Sequence, residues 1–140
     1  MLVAIDVGNT QTVIGLFGPG DGPAGSSSEL MYHWRVATVA ARTADELALL
    51  LDQLFQLQGL DPEEAITGIA VASVVPRQRT ALREMTQKWF KVDTVIVEPG
   101  VRTGMPIHYD NPKEVGADRI ADAVAAFERY GGPTIVIDFG

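Results

Sequence analysis

Residues 2–17 read LVAIDVGNTQTVIGLF, and this stretch decides the fold. Leu2-Val3-Ala4-Ile5 is a short apolar run that ends at Asp6. Val7-Gly8-Asn9-Thr10 follows, and then a second apolar run, Thr12-Val13-Ile14-Gly15-Leu16-Phe17. A Gly-Asn pair between two such runs marks a tight hairpin, so the chain is expected to open with two antiparallel strands. Leu30 to Ala37 alternates loosely and predicts a third strand. The Gly-, Pro- and Ser-rich segment from Gly18 to Ser28 reads as the loop between the second and third strands.

From the third strand onward the periodicity changes. Thr43-Ala44-Asp45-Glu46 has the form of a capping box, and Leu47, Leu50, Leu51 and Leu54 follow at helical spacing. Ile66 to Val75 is apolar and β-branched, as expected of a buried strand. Pro76 suits the first position of a helix that carries Leu82, Met85 and Trp89 on one face, with Trp34 and Trp89 both expected in the core. Thr94 to Val97 predicts another strand, and Glu98 to Tyr109, with Pro99-Gly100 and Pro106, a loop. Asn111-Pro112-Lys113-Glu114 predicts the start of a helix running to Tyr130, stopped by Gly131-Gly132-Pro133. Thr134 to Ile137 predicts a last strand before Asp138-Phe139-Gly140. Hairpin-linked strands followed by alternating helices and strands imply an α/β fold of ribonuclease H-like order. Its mixed sheet would have three antiparallel strands and then parallel strands joined by helical crossovers.

Composition narrows the function. The chain has 140 residues, 46% of them hydrophobic, a net charge of -7 and no cysteine. Disulfide scaffolds, thiolate metal sites and cysteine nucleophiles are excluded. An acidic chain is a poor scaffold for a nucleic-acid backbone, so no nucleic-acid partner is expected. No apolar run approaches a membrane span and the start lacks the form of a signal peptide, which points to no membrane partner and a cytoplasmic location. His33 and His108 have no partner at metal-ligand spacing and read as structural or exposed.

Two segments carry chemistry. In Asp6-Val7-Gly8-Asn9-Thr10 a glycine turn after a strand lets backbone N–H groups approach a phosphate, with Asn9 and Thr10 as further donors. Asp6 is placed to hold Mg²⁺ through water. The plainer alternative is a hairpin turn whose polar residues satisfy their own backbone. What favours the phosphate reading is the echo at Ile137-Asp138-Phe139-Gly140, since two strand-final Asp-x-Gly turns suggest two related halves that clamp a polyphosphate. The second segment is Gly116-Ala117-Asp118-Arg119, near a helix start that favours anions, with Asp118 and Asp122 on one face. Gly116 inside a helix would cost about 1 kcal/mol relative to Ala, which suggests close approach of a ligand or another backbone. Tyr109, just before this helix, is a candidate pocket wall.

Together these blocks resemble the type III pantothenate kinases. The resemblance rests on Asp6 to Thr10, on Arg42-Thr43-Ala44-Asp45-Glu46, on Pro99-Gly100-Val101-Arg102-Thr103-Gly104 through Tyr109-Asp110-Asn111-Pro112 to Gly116-Ala117-Asp118-Arg119, and on Asp138-Phe139-Gly140. It implies transfer of the ATP γ-phosphate to pantothenate, the first step of coenzyme A biosynthesis. It further implies that Asp6, Val7, Gly8, Asn9, Thr10, Gln11, Thr12 and Val13 form the first phosphate loop. Tyr109, Gly116, Ala117, Asp118 and Arg119 would contact pantothenate, with Asp118 the catalytic base. Asp138 would be the ligand of K⁺ or NH₄⁺, used beside Mg²⁺, and the complete protein a homodimer of two ribonuclease H-like domains. Residues 1–133 would be the first domain and residues 134–140 the opening strand of the second. Family members continue with a Thr-rich phosphate loop and an adenosine site, so the 140 residues by themselves are expected to be inactive.

Two other classes fit parts of the pattern. A ribonuclease H-like nuclease would use Asp6, Asp118 and Asp138 as two-metal carboxylates, against which stand the charge of -7 and the Gly-Asn-Thr continuation. A non-catalytic regulatory relative would keep the fold without needing Asp118.

Overall fold

In the computed structural model, residues 1–19, 29–98 and 100–138 are described. The Gly18–Ser28 loop therefore falls largely outside them, as do Pro99 and the Phe139-Gly140 part of the echo. Strands β1 (Leu2–Val7), β2 (Gln11–Phe17) and β3 (Leu30–Ala37) form the expected antiparallel meander. Helix α1 (Ala44–Gln56) and the single turn α2 (Pro62–Ala65) lead to β4 (Gly68–Ser73), which lies parallel to β1. Helix α3 (Pro76–Met85) crosses to β5 (Asp93–Val97), parallel to β4, and α4 (Ala117–Tyr130) follows a loop. The sheet order is β3-β2-β1-β4-β5, the ribonuclease H-like arrangement.

Alternation divides the sheet into two unlike faces. Val3, Ile5, Val7, Ile14, Leu16, Ile69, Val71 and Ile96 point to one side and pack under Leu47, Leu51 and Phe55 of α1 and Leu82 and Met85 of α3. Trp34 packs against Phe55, ring centroids 5.7 Å apart and planes tilted by 30°, and so lies partly buried against this core. Helix α4 lies on the other side, touching β4 and β5 and burying Ala117 and Ile120.

Several boundaries have clear causes. The capping box is complete: the Thr43 N–H donates to Glu46 Oε2 at 2.7 Å and the Glu46 N–H to Thr43 Oγ1 at 3.3 Å. Pro76 opens α3, and the last turn of that helix widens into a π-type turn over Thr86–Phe90 that ends at Lys91 in the left-handed region, φ 54°.

Three expectations are corrected. The helix expected from Asn111 to Tyr130 is two pieces: a 3₁₀ turn, Pro112–Glu114, capped by Asn111, and then α4. Val115 and Gly116 between them are extended, because β-branched Val and flexible Gly do not sustain a helix begun by a single turn. Thr134 to Ile137 joins no sheet. Ile135 is 89% exposed, and an apolar run becomes a strand only where a partner strand takes its N–H and C=O groups. Trp89 is not core but half exposed, its indole N–H donating to Asp45 Oδ1 at 2.8 Å, where Lys88 also binds at 2.8 Å.

Thr43→Ala removes the side-chain half of the α1 capping box. It is expected to destabilise the fold by about 1 kcal/mol, read as a lower urea midpoint with unchanged slope. An unchanged midpoint would mean that packing alone sets the start of α1.

Candidate functional site

Helix α4 covers only the β4–β5 half of its face of the sheet, so above β1, β2 and β3 that face stays open. A cleft of about 870 Å³ lies there. Its floor includes the small residues Ala4, Gly15 and Ala70, register neighbours on three strands, and Ala72, which lies opposite Asp6. One end is the β1–β2 turn and the opposite wall is the first turns of α4.

Each part follows from local structure. The turn closes with the Gly8 N–H donating to the Gln11 carbonyl at 3.0 Å; a Cβ on Gly8 would press on that same oxygen at 3.1 Å, hence glycine. Asp6, Gly8, Asn9, Thr10, Gln11 and Val13 line the cleft. The other two members of the expected phosphate loop, Val7 and Thr12, are buried on the opposite, helix-covered face, because alternation carries them there. On α4, Asp118 and Asp122 lie one helical turn apart and both line the cleft, as does Asp138. Gly116 is the cap of α4, not an interior residue, so the helix-interior cost does not apply. The close neighbour there is neither a ligand nor another backbone: a Cβ on Gly116 would collide with the Asp118 carboxylate, which turns back to accept the Arg119 N–H at 2.8 Å.

The remaining residues named from the sequence stand apart from this cluster. Gly116, Ala117 and Arg119 flank Asp118 without forming the cleft wall, and Ala117 is buried. Tyr109 is 57% exposed on the loop before α4 and does not line the cleft. His33 does, from the edge strand β3, and so does Ala121. Sequence reasoning passed over both, although period-two alternation along β3 puts His33 on the cleft face, opposite Gly15.

The electrostatics are those of crowded carboxylates. Asp6 is held above its ordinary value of 3.8, first by loss of solvent in the cleft and then by the charges of Asp118, Asp122 and Asp138. Asp122 is raised by loss of solvent, then by Asp138 and Asp118. All these donors are hard oxygens, suited to Mg²⁺ or K⁺ and not to soft metals. Among the described residues, however, no three acidic or histidine side chains converge closely enough for a metal site made by protein alone.

A family model described as type III pantothenate kinase matches residues 2–140. The chain belongs to the type III pantothenate kinase family. It is 49% identical over 142 residues to the type III pantothenate kinase of Koribacter versatilis (strain Ellin345), covering 100% of this chain and 52% of the relative. The Streptomyces griseus relative of the same name is 55% identical over 144 residues, with 100% and 51% covered. That of Moorella thermoacetica is 51% identical over 140 residues, with 100% and 52% covered. The chain thus spans about half the length of these pantothenate kinases. A solved structure of Thermus thermophilus RuvC superposes with a TM-score of 0.45 at 17% identity, over 93% of this chain and 96% of that one, too distant to bear on function. Among the described residues, no helix is long and apolar enough to cross a membrane.

The raised carboxylates give a pH prediction. Ionising Asp122 costs more in the folded protein than in the unfolded chain, so its penalty is full above the raised value. It vanishes below 3.8, where both states are protonated. Asp122→Asn is therefore expected to raise Tm at neutral pH. The gain should fade as the pH drops to about 3. Thermal scans across that range check it, and a gain independent of pH would refute the electrostatic cause.

Proposed function

We propose that this chain provides the acceptor side and the first phosphate turn of a pantothenate kinase, which transfers the γ-phosphate of ATP to pantothenate in the first step of coenzyme A biosynthesis. The observation that carries this reading is that the β1–β2 turn and the acidic face of α4 meet in one cleft, in a chain of this family. The phosphates would lie on the N–H groups of the turn beyond Gly8, whose own N–H is spent on the Gln11 carbonyl, with the Asn9 and Thr10 side chains as further donors. The acceptor would lie against the start of α4, with Gly116, Ala117, Arg119 and, from the preceding loop, Tyr109 as its contacts.

In this reading the pantothenate hydroxyl oxygen attacks the γ-phosphorus, the bond from phosphorus to the β,γ-bridging oxygen breaks, and ADP departs. Asp118 takes the hydroxyl proton late, as suits a loose transition state, and for this an ordinary carboxylate suffices. The Arg119 N–H that Asp118 accepts holds that carboxylate in place at the helix start. Mg²⁺, held through water by Asp6, supplies charge neutralisation on the phosphates when bound. Asp138 would hold K⁺ or NH₄⁺, and a weakly hydrated cation there would relieve repulsion between its carboxylate and the phosphates. The proposal extends to a first domain ending near residue 133, a second domain beginning there, a homodimeric complete protein and a cytoplasmic location.

A chimera tests the catalytic assignment: residues 1–140 joined to the non-matching half of the Moorella thermoacetica relative, which aligns over 140 residues. Pantothenate-dependent ADP formation is expected. Asp118→Asn should lower kcat by about 10²–10⁴ with a smaller change in pantothenate KM. Near-wild-type turnover by that variant would overturn the assignment of the base. In the same chimera Asp138→Ala should weaken activation by K⁺ and raise the ATP KM, measured by K⁺ titration at fixed Mg²⁺. An unaltered K⁺ dependence would remove Asp138 from the cation site.

A further inference from the structure

The β1–β2 turn has little internal structure to keep its shape. Its own closure is the single Gly8 N–H to Gln11 carbonyl bond. What holds it comes from the flanking strands. On the β4 side, the Val74 N–H donates to the Val7 carbonyl at 3.1 Å. On the other side, everything converges on the end of β3. The Thr38 N–H donates to the Thr10 carbonyl at 2.9 Å, and the Thr38 and Thr12 hydroxyls pair at 2.8 Å. Arg35, three residues back and opposite Val13, reaches Gln11 Oε1 at 3.3 Å. Three consecutive residues leaving the turn, Thr10, Gln11 and Thr12, are thus gripped by β3 or the residue just after it.

Thr38 is itself held. The next residue, Val39, offers its carbonyl to Nε2 of Gln78 at 2.5 Å, and Gln78 is buried in α3 at 3% exposure. A buried amide of this kind is anchored by its hydrogen bond, since leaving it unpaired would be costly. The brace therefore runs from α3 through Val39 and Thr38 to the turn. Thr12, with 8% exposure on the helix-covered face, faces away from the cleft, and Thr38 does not line the cleft.

We propose that Thr38 is the positioning residue of the phosphate turn: its N–H and hydroxyl fix the Thr10–Thr12 segment so that the turn N–H groups point together at a polyphosphate. This rests on the reading of the turn given above and assigns a role to a residue that touches neither substrate. The ligand class is a nucleoside triphosphate or its bare polyphosphate chain, because the groups that Thr38 aligns are backbone donors with no means of reading a base.

The test compares Thr38→Val, Thr38→Ser and wild type in the chimera with the Moorella thermoacetica half described above, which supplies the rest of the nucleotide site. Valine keeps the β-branched shape and the backbone bond but leaves the Thr12 hydroxyl without its partner; serine keeps the hydroxyl. Two readouts are taken. One is the dissociation constant for Mg²⁺·ATP and for tripolyphosphate, by calorimetry. The other is hydrogen exchange at the amides of Gly8 and Thr38 without ligand. Thr38→Val is expected to weaken both ligands by about 3- to 10-fold, the worth of one hydrogen bond, and to speed exchange at both amides. Thr38→Ser should restore both to near wild type. Because serine lacks the strand preference of valine, that rescue is not what a purely structural role would produce. Wild-type affinity and exchange in Thr38→Val would overturn the inference. If wild type itself binds neither ligand, the phosphate reading of the turn fails, and the role of Thr38 in binding fails with it, whatever the exchange data show.

Discussion

The position of β1 at the centre of the sheet is the constraint from which the rest follows. It pairs antiparallel with β2 and parallel with β4, so every residue near its end is held from both sides. A strand in that place must be apolar on the face that the helices cover, and Val3, Ile5 and Val7 are all but inaccessible. The opposite face of the same strand carries Ala4 and Asp6. One strand therefore builds the core with one set of side chains and the floor and acidic end of the cleft with the other.

The cleft exists because the two faces are covered unequally. Helices α1 and α3 close one face, while α4 packs chiefly on β4 and β5 on the other. Small residues on the uncovered strands make space, and the helix that stops short brings Asp118 and Asp122 to its rim. The consequence is electrostatic: Asp6 and Asp122 bind protons more readily than free carboxylates because solvent is partly withheld and negative neighbours stand close. Crowded carboxylates of this kind repel one another, and a bound cation or proton relieves that repulsion.

Much of this was legible along the chain. The hairpin at Gly8-Asn9, the capping box at Thr43-Glu46, the helix opening at Pro76 and the loop before Tyr109 all depend on neighbours within a few residues, and each stands where the residues predict it. The expectations that failed depended on distant partners. Thr134 to Ile137 has strand composition but no strand to pair with among the described residues, and Trp89 follows a helical stripe that ends in a π-type turn facing Asp45. Composition measures the tendency to be buried or extended. It does not carry the identity of what does the burying or the pairing.

The site divides in the same way. By itself the sequence determined which residue types could act: a glycine turn with polar donors after a strand-final aspartate, an aspartate at a helix start, and enough similarity along the whole chain to mark the family. Those are local chemical facts or direct matches of residue to residue. Only the tertiary structure decided which of them meet. It brought Asp6, Asp118, Asp122 and Asp138 to one cleft, turned Val7 and Thr12 to the far side of the sheet, left Tyr109 outside, and tied the β1–β2 turn to Thr38. The reason is that strand alternation and the end of α4's coverage are set by pairing register and packing across the sheet, and neither quantity is contained in any short stretch of the chain.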